Sequence, residues 1–481
     1  MTTQPAPNTK SRALSGDRQA LSGDRHTLPG DRHTLPGARH ALPGGDRRSF
    51  SGDHHHHTLP GARHALPGGD DITRAVLPNG IVVLARPNFN SPSVVVNGFL
   101  DAGSLSEPDE LLGLAGFTAE ALMRGTERRT FQEIYDILET AGASLGFSGG
   151  THTSGFGGKA LAEDLDLLLD LLADSLSQPA FPAEQVEKLR ARLLTGLAIR
   201  AQDTGEMASL TADQIVYPGH PYARPDDGYP ETVQAIRRQH LVDFHRQNFG
   251  PRGMALAVVG AVDPLQAVER VAAVLGDWRN PDQPESVQLP PLPAPGEPLR
   301  RKVDIPGKYQ ADIVVGVAGP QRRDPDYLAA SLGNNILGQF GMMGRVGETV
   351  REKAGLAYYA YSSLSGGLGP GPWSVVAGVD PANVDRAVDL IQGEIQRFVS
   401  DPVEADELAD SQSNFVGRLP LSLESNGGVA AALVNLERYD LGLDYYRQYP
   451  DLVRAVTVEQ VLETARRYLG PARLGVAVAG P

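Results

Sequence analysis

The sequence predicts an α+β protein made of two homologous domains, and three observations lead to this prediction. A segment of the first half recurs 220 residues later, a proline-rich stretch separates the two copies, and each copy mixes short apolar runs with amphipathic stretches. The chain has 481 residues, which is enough for two or three domains of about 100–200 residues each. Residues 72–285 and 300–481 are therefore expected to form the two domains, with residues 286–299 as the linker.

The repeat is the strongest of the three observations. The first copy reads YPETVQAI at Tyr229–Ile236, and the second reads YPDLVRAV at Tyr449–Val456. At the same offset Gly250-Pro251 matches Gly470-Pro471, and an apolar run follows each pair. Several matches in one register indicate a duplicated unit. Each copy is expected to end in a turn, a helix, a Gly-Pro break and a strand.

The elements of the first copy follow from its apolar pattern. Alternating residues on both sides of the turn at Pro78–Gly80 predict a pair of strands, and Ser93–Leu100 predicts another. Pro182 precedes the last of four helical stretches, where proline fits the first turn. These four stretches, with apolar residues at helical spacing, are Leu111–Met123, Thr130–Ala141, Asp164–Leu176 and Ala183–Ala201.

The stretch between the two copies reads QLPPLPAPGEP over residues 288–298. Because proline restricts the backbone, such a stretch is extended and semi-rigid, and it would hold the two halves at a set distance with a cleft between them. Clefts between domains are favoured ligand sites.

Residues 1–71 form a tail in which residues 13–71 repeat a short unit, with LSGDRHT, LPGDRHT and LPGARHA as examples. Each unit has one large apolar residue followed by Pro-Gly or Ser-Gly, so it cannot bury enough surface to offset its ordering entropy, and the segment is predicted to be disordered. Eight of the twelve histidines lie here, including His54–His57, and such a cluster can bind metal adventitiously. Two interpretations stay open: a flexible tail, or a tandem DNA repeat translated from upstream of the true start.

Composition argues against several classes of function. The chain has no cysteine, which excludes disulfides, thiolate metal sites and cysteine nucleophiles. Residues 1–72 hold nine Lys/Arg and seven Asp/Glu, so the net charge of −14 leaves −16 on residues 73–481. An acidic body argues against nucleic acid as a partner, and it fits either cationic peptides or simple solubility. No apolar run approaches the ~20 residues of a membrane span, and MTTQPAPNTKSR is not a secretory signal, so a cytoplasmic protein without a membrane partner is expected.

Three motifs carry a resemblance to a known family. Gly113–Thr126 reads GLAGFTAEALMRGT, His220–Pro225 reads HPYARP, and Val350–Tyr358 reads VREKAGLAY. They resemble the active-site helix GLAHxxEHxxFxGT, the HPYGRP segment and the LREKxGLAY signature of the pitrilysin/insulinase (M16) zinc peptidases. The resemblance covers residues 73–481. It implies two peptidase-like domains, each an antiparallel-rich mixed sheet with helices packed on one face, which face each other as a clam shell around a peptide.

The zinc site of that family is degenerate in this sequence. Its chemistry needs H-x-x-E-H on one helix, where two histidines at i and i+4 bind zinc and the glutamate acts as a base toward metal-bound water. Gly116 and Glu120 stand at the histidine positions, and Ala119 stands at the position of the base. The distal zinc-binding glutamate belongs near residues 192–199, which read RLLTGLAI without a carboxylate. No metal and no cofactor are therefore expected in this chain.

Four histidines remain outside the tail, and none is placed to rebuild the site. His240 and His245 are five residues apart, which is the wrong step for one helical face. His220 lies in a proline-flanked loop, where capping or turn packing is expected. His152 is predicted on a strand bordering the cleft, where it would either bind a peptide or face solvent.

The second half keeps a different part of the family's site. Arg351 and Tyr358 match the family's Arg/Tyr pair, which completes the active site from the opposite domain. As the resemblance implies, Tyr358 would hydrogen-bond the oxyanion of the tetrahedral intermediate, and Arg351 would bind the substrate carbonyl or backbone. Gly355, between them, is a further candidate for substrate binding. In the alternative, structural interpretation, Arg351 pairs with a neighbouring glutamate and Tyr358 packs in a strand beside Tyr359 and Tyr361.

This selective loss leads to three hypotheses. In the first, the chain is a non-catalytic subunit of a heteromeric M16-type metallopeptidase, and it supplies Arg351 and Tyr358 to a zinc-bearing partner with an intact H-x-x-E-H. Some bacterial members of the family resemble this two-chain arrangement. The substrate would be an unfolded peptide. In the second, the chain is an inert peptide-binding or structural assembly subunit, similar to respiratory-complex core proteins. In the third, it is a stand-alone metallopeptidase with an unrecognised metal site.

Overall fold

The structure is a computed structural model that describes residues 66–292, 299–341, 343–470 and 474–481. Within these residues, eleven strands form two sheets. They are β1 Thr73–Val76, β2 Val82–Pro87, β3 Ser93–Leu100, β4 Ser144–Gly149, β5 Ser154–Leu161, β6 Ala255–Gly260, β7 Arg300–Asp304, β8 Ala311–Ala318, β9 Ala357–Leu364, β10 Pro372–Val379 and β11 Gly475–Gly480.

Helices follow the strands in both halves. The α-helices are α1 Leu114–Ala121, α2 Phe131–Thr140, α3 Leu165–Ser177, α4 Ala183–Arg200, α5 Thr204–Val216, α6 Pro230–Ala235, α7 Arg238–Asn248, α8 Pro264–Leu275, α9 Tyr327–Gly338, α10 Gly344–Val346, α11 Val384–Ser400, α12 Ala405–Ser422, α13 Asn426–Arg438, α14 Tyr445–Arg454 and α15 Val458–Tyr468. A π-helical segment, Gly347–Lys353, directly continues α10.

The two sheets repeat one topology. The first has the order β1-β2-β6-β3-β5-β4, and the second has the order β7-β11-β8-β10-β9. In each sheet one pair is parallel, β2 with β6 and β7 with β11, and the remaining pairs are antiparallel. The predicted α+β class with duplicated halves is therefore confirmed, and β1 is an addition to the first copy. The strands β4 and β9 are equivalent edge strands.

Alternation along the strands separates two faces of the first sheet, because successive side chains point to opposite sides. Val83 and Val96 belong to a core that includes Leu168 of α3, a helix of the same half. Leu84, next to Val83, belongs instead to a core with Leu433 of α13, a helix of the second half. One face of the first sheet therefore packs against α3 of its own half, and the opposite face packs against α13 of the second half.

The second sheet shows the reciprocal arrangement. Val315 packs with Ile391 of α11, from its own half. On the opposite face Val314 packs with Ala208 and Ala212 of α5, from the first half. The equivalent helices α5 and α13 are thus exchanged between the halves, so two buried apolar faces, in addition to the linker, set how the halves sit together.

The N-terminal end of the first domain differs in detail from the predicted bound. Residues 1–65 of the predicted tail, His54–His57 included, lie outside the described residues. Residues 66–71 form a turn, in which the N–H of Asp71 donates to the carbonyl of Gly68 at 3.0 Å. Arg447 of α14 donates to the carbonyl of Leu66 at 3.1 Å, so this end of the predicted tail lies against the second half.

The linker is only partly described. Residues 286–292 contain no helix or strand, as the proline content predicts, and residues 293–298 lie outside the described part of the chain. The carbonyl of Pro290 lies 3.2 Å from His220 Nε2. No helix among the described residues is long and apolar enough to cross a membrane.

Candidate functional site

The helix α1 carries the three positions at which the resemblance places zinc chemistry. Gly113 precedes it with φ 95°, a left-handed conformation that suits glycine, and the helix buries Leu114 and Phe117 in the core of the first half. Ala119, at the position of the base, is 0% exposed. A buried methyl group has no access to a water molecule or a substrate, so this position has no chemistry to offer.

Glu120, at the second histidine position, forms an ion pair with Arg192 of α4. Arg192 lies at the start of the segment in which the family places its distal zinc-binding glutamate. A guanidinium therefore faces the carboxylate that stands at the second histidine position. The side chains are 34% and 59% exposed, and exposed pairs of this kind contribute at most about 1 kcal/mol to folding.

The residues at this site do not fit a zinc ion. Zinc sites use imidazole, thiolate or carboxylate ligands in a closed tetrahedral set or in a set of three with one open position. Here one position has no side chain, one is a buried methyl group, and the remaining carboxylate of Glu120 faces a guanidinium. Across the described residues, no group of three or more histidine, aspartate or glutamate side chains is arranged to hold a metal ion.

The edge strand β4 packs closely against α1 at a pair of glycines. A Cβ built on Gly149 would lie 2.6 Å from the Cα of Gly116, which is closer than real contacts allow. A Cβ built on Gly116 points elsewhere and meets only the carbonyl of Asp226, at 3.5 Å. The close approach of strand and helix therefore requires a glycine at 149 but not at 116.

This asymmetry predicts opposite effects for two alanine substitutions. Gly116→Ala should stabilise the fold by about 1 kcal/mol, because alanine is the better helix former and its methyl group has room. Gly149→Ala should cost about 1–3 kcal/mol, because the helix backbone must move. Urea denaturation measures both, and Gly196→Ala, in open space on α4, is the control for the helical gain. Equal stability of the two variants would contradict the close packing.

Glu107 holds the start of α1. Its carboxylate oxygens accept the N–H groups of Gly113 and Ala115 at 3.0 and 2.8 Å, and the residue is 5% exposed. Burial raises the pKa of Glu107 to about 7. The two hydrogen bonds favour the charged form and lower the pKa, whereas the nearby charge of Asp226 raises it further. The carboxyl group therefore titrates near neutrality.

The raised pKa of Glu107 predicts a pH dependence of stability. Below its ordinary pKa of 4.5 the carboxyl group of Glu107 is protonated in the folded and in the unfolded chain. Between pH 4.5 and 7 it ionises in the unfolded chain but stays protonated in the folded chain, so the free energy of unfolding falls as pH rises. The loss for this group amounts to roughly 3 kcal/mol. Urea unfolding at pH 5 and pH 8 should show a smaller difference for Glu107→Gln than for the natural chain. The exposed neighbour Glu110, changed to Gln, should keep the natural difference; an unchanged difference in Glu107→Gln would contradict the assignment.

His152 does not lie on a strand facing solvent, which corrects the predicted placement. It lies in the loop between β4 and β5, and its Nε2 forms a hydrogen bond of 2.6 Å with the hydroxyl of Tyr222. Burial, with the charges of Arg438 and His220, lowers the pKa of His152 to about 4. The ring is thus neutral near pH 7 and held by a tyrosine of the HPYARP motif. Its role as a peptide contact stays a prediction.

His220 behaves as the sequence predicts for a proline-flanked loop. Its Nδ1 accepts the N–H of Tyr222 at 3.1 Å and caps the short turn Pro221–Ala223. The side chain is buried. It therefore organises the loop whose Tyr222 is bonded to His152. His245 also has a structural contact, because its Nε2 lies 2.8 Å from the carbonyl of Leu176.

Arg351 lies on the π-helical segment that precedes β9. Its side chain is 34% exposed, and its Nε lies 3.7 Å from the carboxylate of Glu352. Gly355 follows with φ 65° and donates its N–H to the carbonyl of Arg351 at 3.1 Å. Gly355 therefore ends the helix in a left-handed conformation that favours glycine; a direct contact of Gly355 with substrate stays a prediction.

Tyr358 is presented to solvent on the edge strand β9. It is 64% exposed, so the alternative in which it packs beside Tyr359 and Tyr361 does not describe its position. In the ladder Tyr359 pairs with Gly378 and Ala357 pairs with Val379, which leaves Tyr358 as an extra residue at a β-bulge. Bulges of this kind re-aim side chains and are common beside functional sites.

The pairing of Glu120 with Arg192 is not predicted by the sequence, because the two residues lie 72 positions apart along the chain. Their opposite charge is the signal that the sequence offers for it. In the first half the structure pairs Glu120, which follows Gly116 on α1, with Arg192. In the second half it joins Arg351 and Gly355 by a backbone hydrogen bond, and Tyr358 follows on β9.

The fold and these two groups of residues define a class of protein. It is a duplicated α+β chain of the zinc-peptidase type whose helix α1 carries no histidine and whose second half presents a partly exposed arginine and an exposed tyrosine. Two family models match the chain: Insulinase (Peptidase family M16) over residues 82–206, and Peptidase M16 inactive domain over residues 235–415. The chain belongs to the M16 peptidase family.

Individual relatives match most of the chain. An uncharacterized zinc protease of Streptomyces coelicolor is 26% identical over 85% of this chain and 90% of its own length. The mitochondrial-processing peptidase subunit beta of Caenorhabditis elegans is 25% identical over 84% of this chain and 88% of its own. A crystal structure of a peptidase M16 inactive domain from Pseudomonas fluorescens superposes with a TM-score of 0.79 at 25% identity, over 85% of this chain and 98% of that one.

Proposed function

We propose that this chain is a non-catalytic subunit of a heteromeric M16-type peptidase. In the complex it presents Arg351 and Tyr358 to a partner that carries zinc on an intact H-x-x-E-H helix. The substrate is an unfolded peptide bound between the two chains. The residues 116, 119 and 120 of this chain take no part in the chemistry.

One observation carries the proposal: the histidines of the family's zinc motif are absent from this chain, whereas its arginine and tyrosine are present. The histidine positions of the zinc motif hold Gly116 and Glu120, and Glu120 is paired with Arg192. The donor pair remains, and Tyr358 is 64% exposed at a bulge. In the described residues no hydrogen bond occupies its hydroxyl. An exposed, bulged tyrosine gains little for the stability of the chain, so a role in a complex accounts for it better than a role in the fold.

The chemistry of the two side chains suits this role. A guanidinium and a phenol are both hydrogen-bond donors near neutral pH, and donors aimed at the developing oxyanion lower the barrier of amide hydrolysis. They cannot by themselves activate water, which the partner's metal and glutamate would do. The C. elegans relative is named as a peptidase subunit, which supports the proposal that this chain also works in an assembly.

Reconstitution tests the proposal. The chain and a zinc-bearing M16 chain of the same organism are purified separately, mixed, and assayed with a quenched fluorescent unfolded peptide. We expect hydrolysis only by the mixture, and a complex of the two chains by size-exclusion chromatography. A complex that binds the peptide without cutting it would instead favour an inert binding or assembly subunit. The zinc content should be measured with and without residues 1–65, because a histidine cluster such as His54–His57 can bind metal adventitiously.

A further inference from the structure

We propose that Asp312 and Tyr359 are positioning residues for Tyr358, and that Thr204 connects them to the first half of the chain. This inference rests on the proposed function, because it concerns how the same tyrosine is presented to a partner's site. It adds a polar cluster around the buried Asp312 that joins the exchanged helix α5, the strand β8 and the edge strand β9.

Asp312, on β8, is the centre of the cluster. It is 1% exposed, and its carboxyl group accepts hydrogen bonds from the hydroxyls of Thr204 and Tyr359. The amide of Gln310 donates to both carboxyl oxygens, at 3.0 and 3.1 Å. A buried carboxyl group is costly unless its oxygens are hydrogen-bonded, so each donor is held in place by the need to satisfy them.

Thr204 brings the first half into the cluster. It is the first residue of α5, directly after the N-cap Asp203. The positive end of the helix dipole therefore faces the carboxyl group of Asp312, which adds to the attraction. Through this contact the helix that covers the second sheet is connected to a residue of β9.

Tyr359 connects the cluster to the bulge. It is the residue directly after Tyr358, and its own ladder partner is Gly378. Its ring packs so closely there that a Cβ built on Gly378 would lie 2.7 Å from Cε1. Burial and the hydrogen bond to Asp312 raise the pKa of Tyr359 above its usual range, so its hydroxyl stays a donor.

Tyr358 itself has few restraints. It is the unpaired residue of an edge strand, and β9 is bonded on one side only, by β10. On the side before it, Leu356 donates its N–H to the carbonyl of Val350 at 3.1 Å, which ties the strand to the helical segment of Arg351. On the side after it, Tyr359 is held by its ladder pairing with Gly378 and by the hydrogen bond from its hydroxyl to Asp312. The hydroxyl that reaches Asp312 therefore contributes to the direction of Tyr358.

The test uses single hydroxyl deletions in the assembled peptidase. Tyr359→Phe keeps the ring, and Asp312 keeps two other donors, so the fold persists. We expect kcat to fall about tenfold and KM to change less than about twofold, since small misplacements of a catalytic group act mainly on the chemical step. Thr204→Val should lower kcat by about threefold, and Thr204→Ser, which restores the hydroxyl, should recover it. Tyr309→Phe is the matched control, because Tyr309 is 93% exposed.

Each outcome separates this inference from the proposed function. If Tyr359→Phe and Thr204→Val leave kcat unchanged while Tyr358→Phe abolishes it, the positioning role is wrong and the proposed function stands. If KM rises and the melting temperature falls without a change in kcat, the cluster is merely structural and the inference is overturned. If Tyr358→Phe itself has no effect in an active complex, the proposed function fails.

Discussion

Replacing Tyr358 by phenylalanine in the assembled peptidase is expected to lower kcat by a factor of about 100 to 1000, with little change in KM. This is the usual effect of removing one donor from an oxyanion, because the hydrogen bond is strong only in the transition state. Arg351→Ala should lower kcat/KM by a similar factor and should also raise KM, since a guanidinium that holds the substrate backbone acts in the ground state as well. Steady-state hydrolysis of a fluorogenic peptide measures both.

The chain offers matched controls for these two variants. Arg386 is an exposed arginine on α11 of the same half, and Arg386→Ala should leave the kinetics unchanged; Tyr309→Phe serves for the tyrosine. Complex formation should be measured for every variant, so that a loss of assembly is not read as a loss of chemistry. Full activity of Tyr358→Phe and Arg351→Ala in a verified complex would sink the shared-site proposal.

Replacing Leu433 by alanine is expected to destabilise both halves at once, by about 2–5 kcal/mol. Leu433 belongs to the second half by sequence, yet it is 0% exposed and packs with Leu84 and Phe99 of the first sheet. The two tryptophans, Trp278 and Trp373, lie one in each half. Single-tryptophan variants can therefore follow urea unfolding of each half separately by fluorescence, and both transitions should shift together.

A leucine with a different environment is the control for this experiment. Leu421, on α12, is 67% exposed, and Leu421→Ala should change the free energy of unfolding by less than about 0.5 kcal/mol. If Leu433→Ala shifts only the transition seen by Trp373, the exchanged helix does not couple the two halves. A shift of both transitions would show that the halves unfold as one cooperative unit despite the proline-rich linker.

Much of the fold could be predicted from the sequence because its signals are local. The strand Ser93–Leu100 has the predicted bounds, and the helix predicted at Ala183–Ala201 is observed at Ala183–Arg200. Apolar spacing, turn residues and a repeat in constant register report on neighbours within a few residues or on an equivalent copy. The absence of histidine at Gly116 and Glu120 is likewise visible without a structure, because a ligand that is absent from the sequence cannot bind metal.

The duplicated α+β class, the absence of histidine at Gly116 and Glu120 and the presence of Arg351 and Tyr358 can all be read from the sequence. The pairing of Glu120 with Arg192, the exchange of α5 and α13, and the hydrogen bond between Tyr359 and Asp312 are visible only in the folded chain. Each of these joins residues far apart along the chain. Local patterning reports which face of a strand or helix is apolar, but not which distant element covers it, because that choice is made by packing.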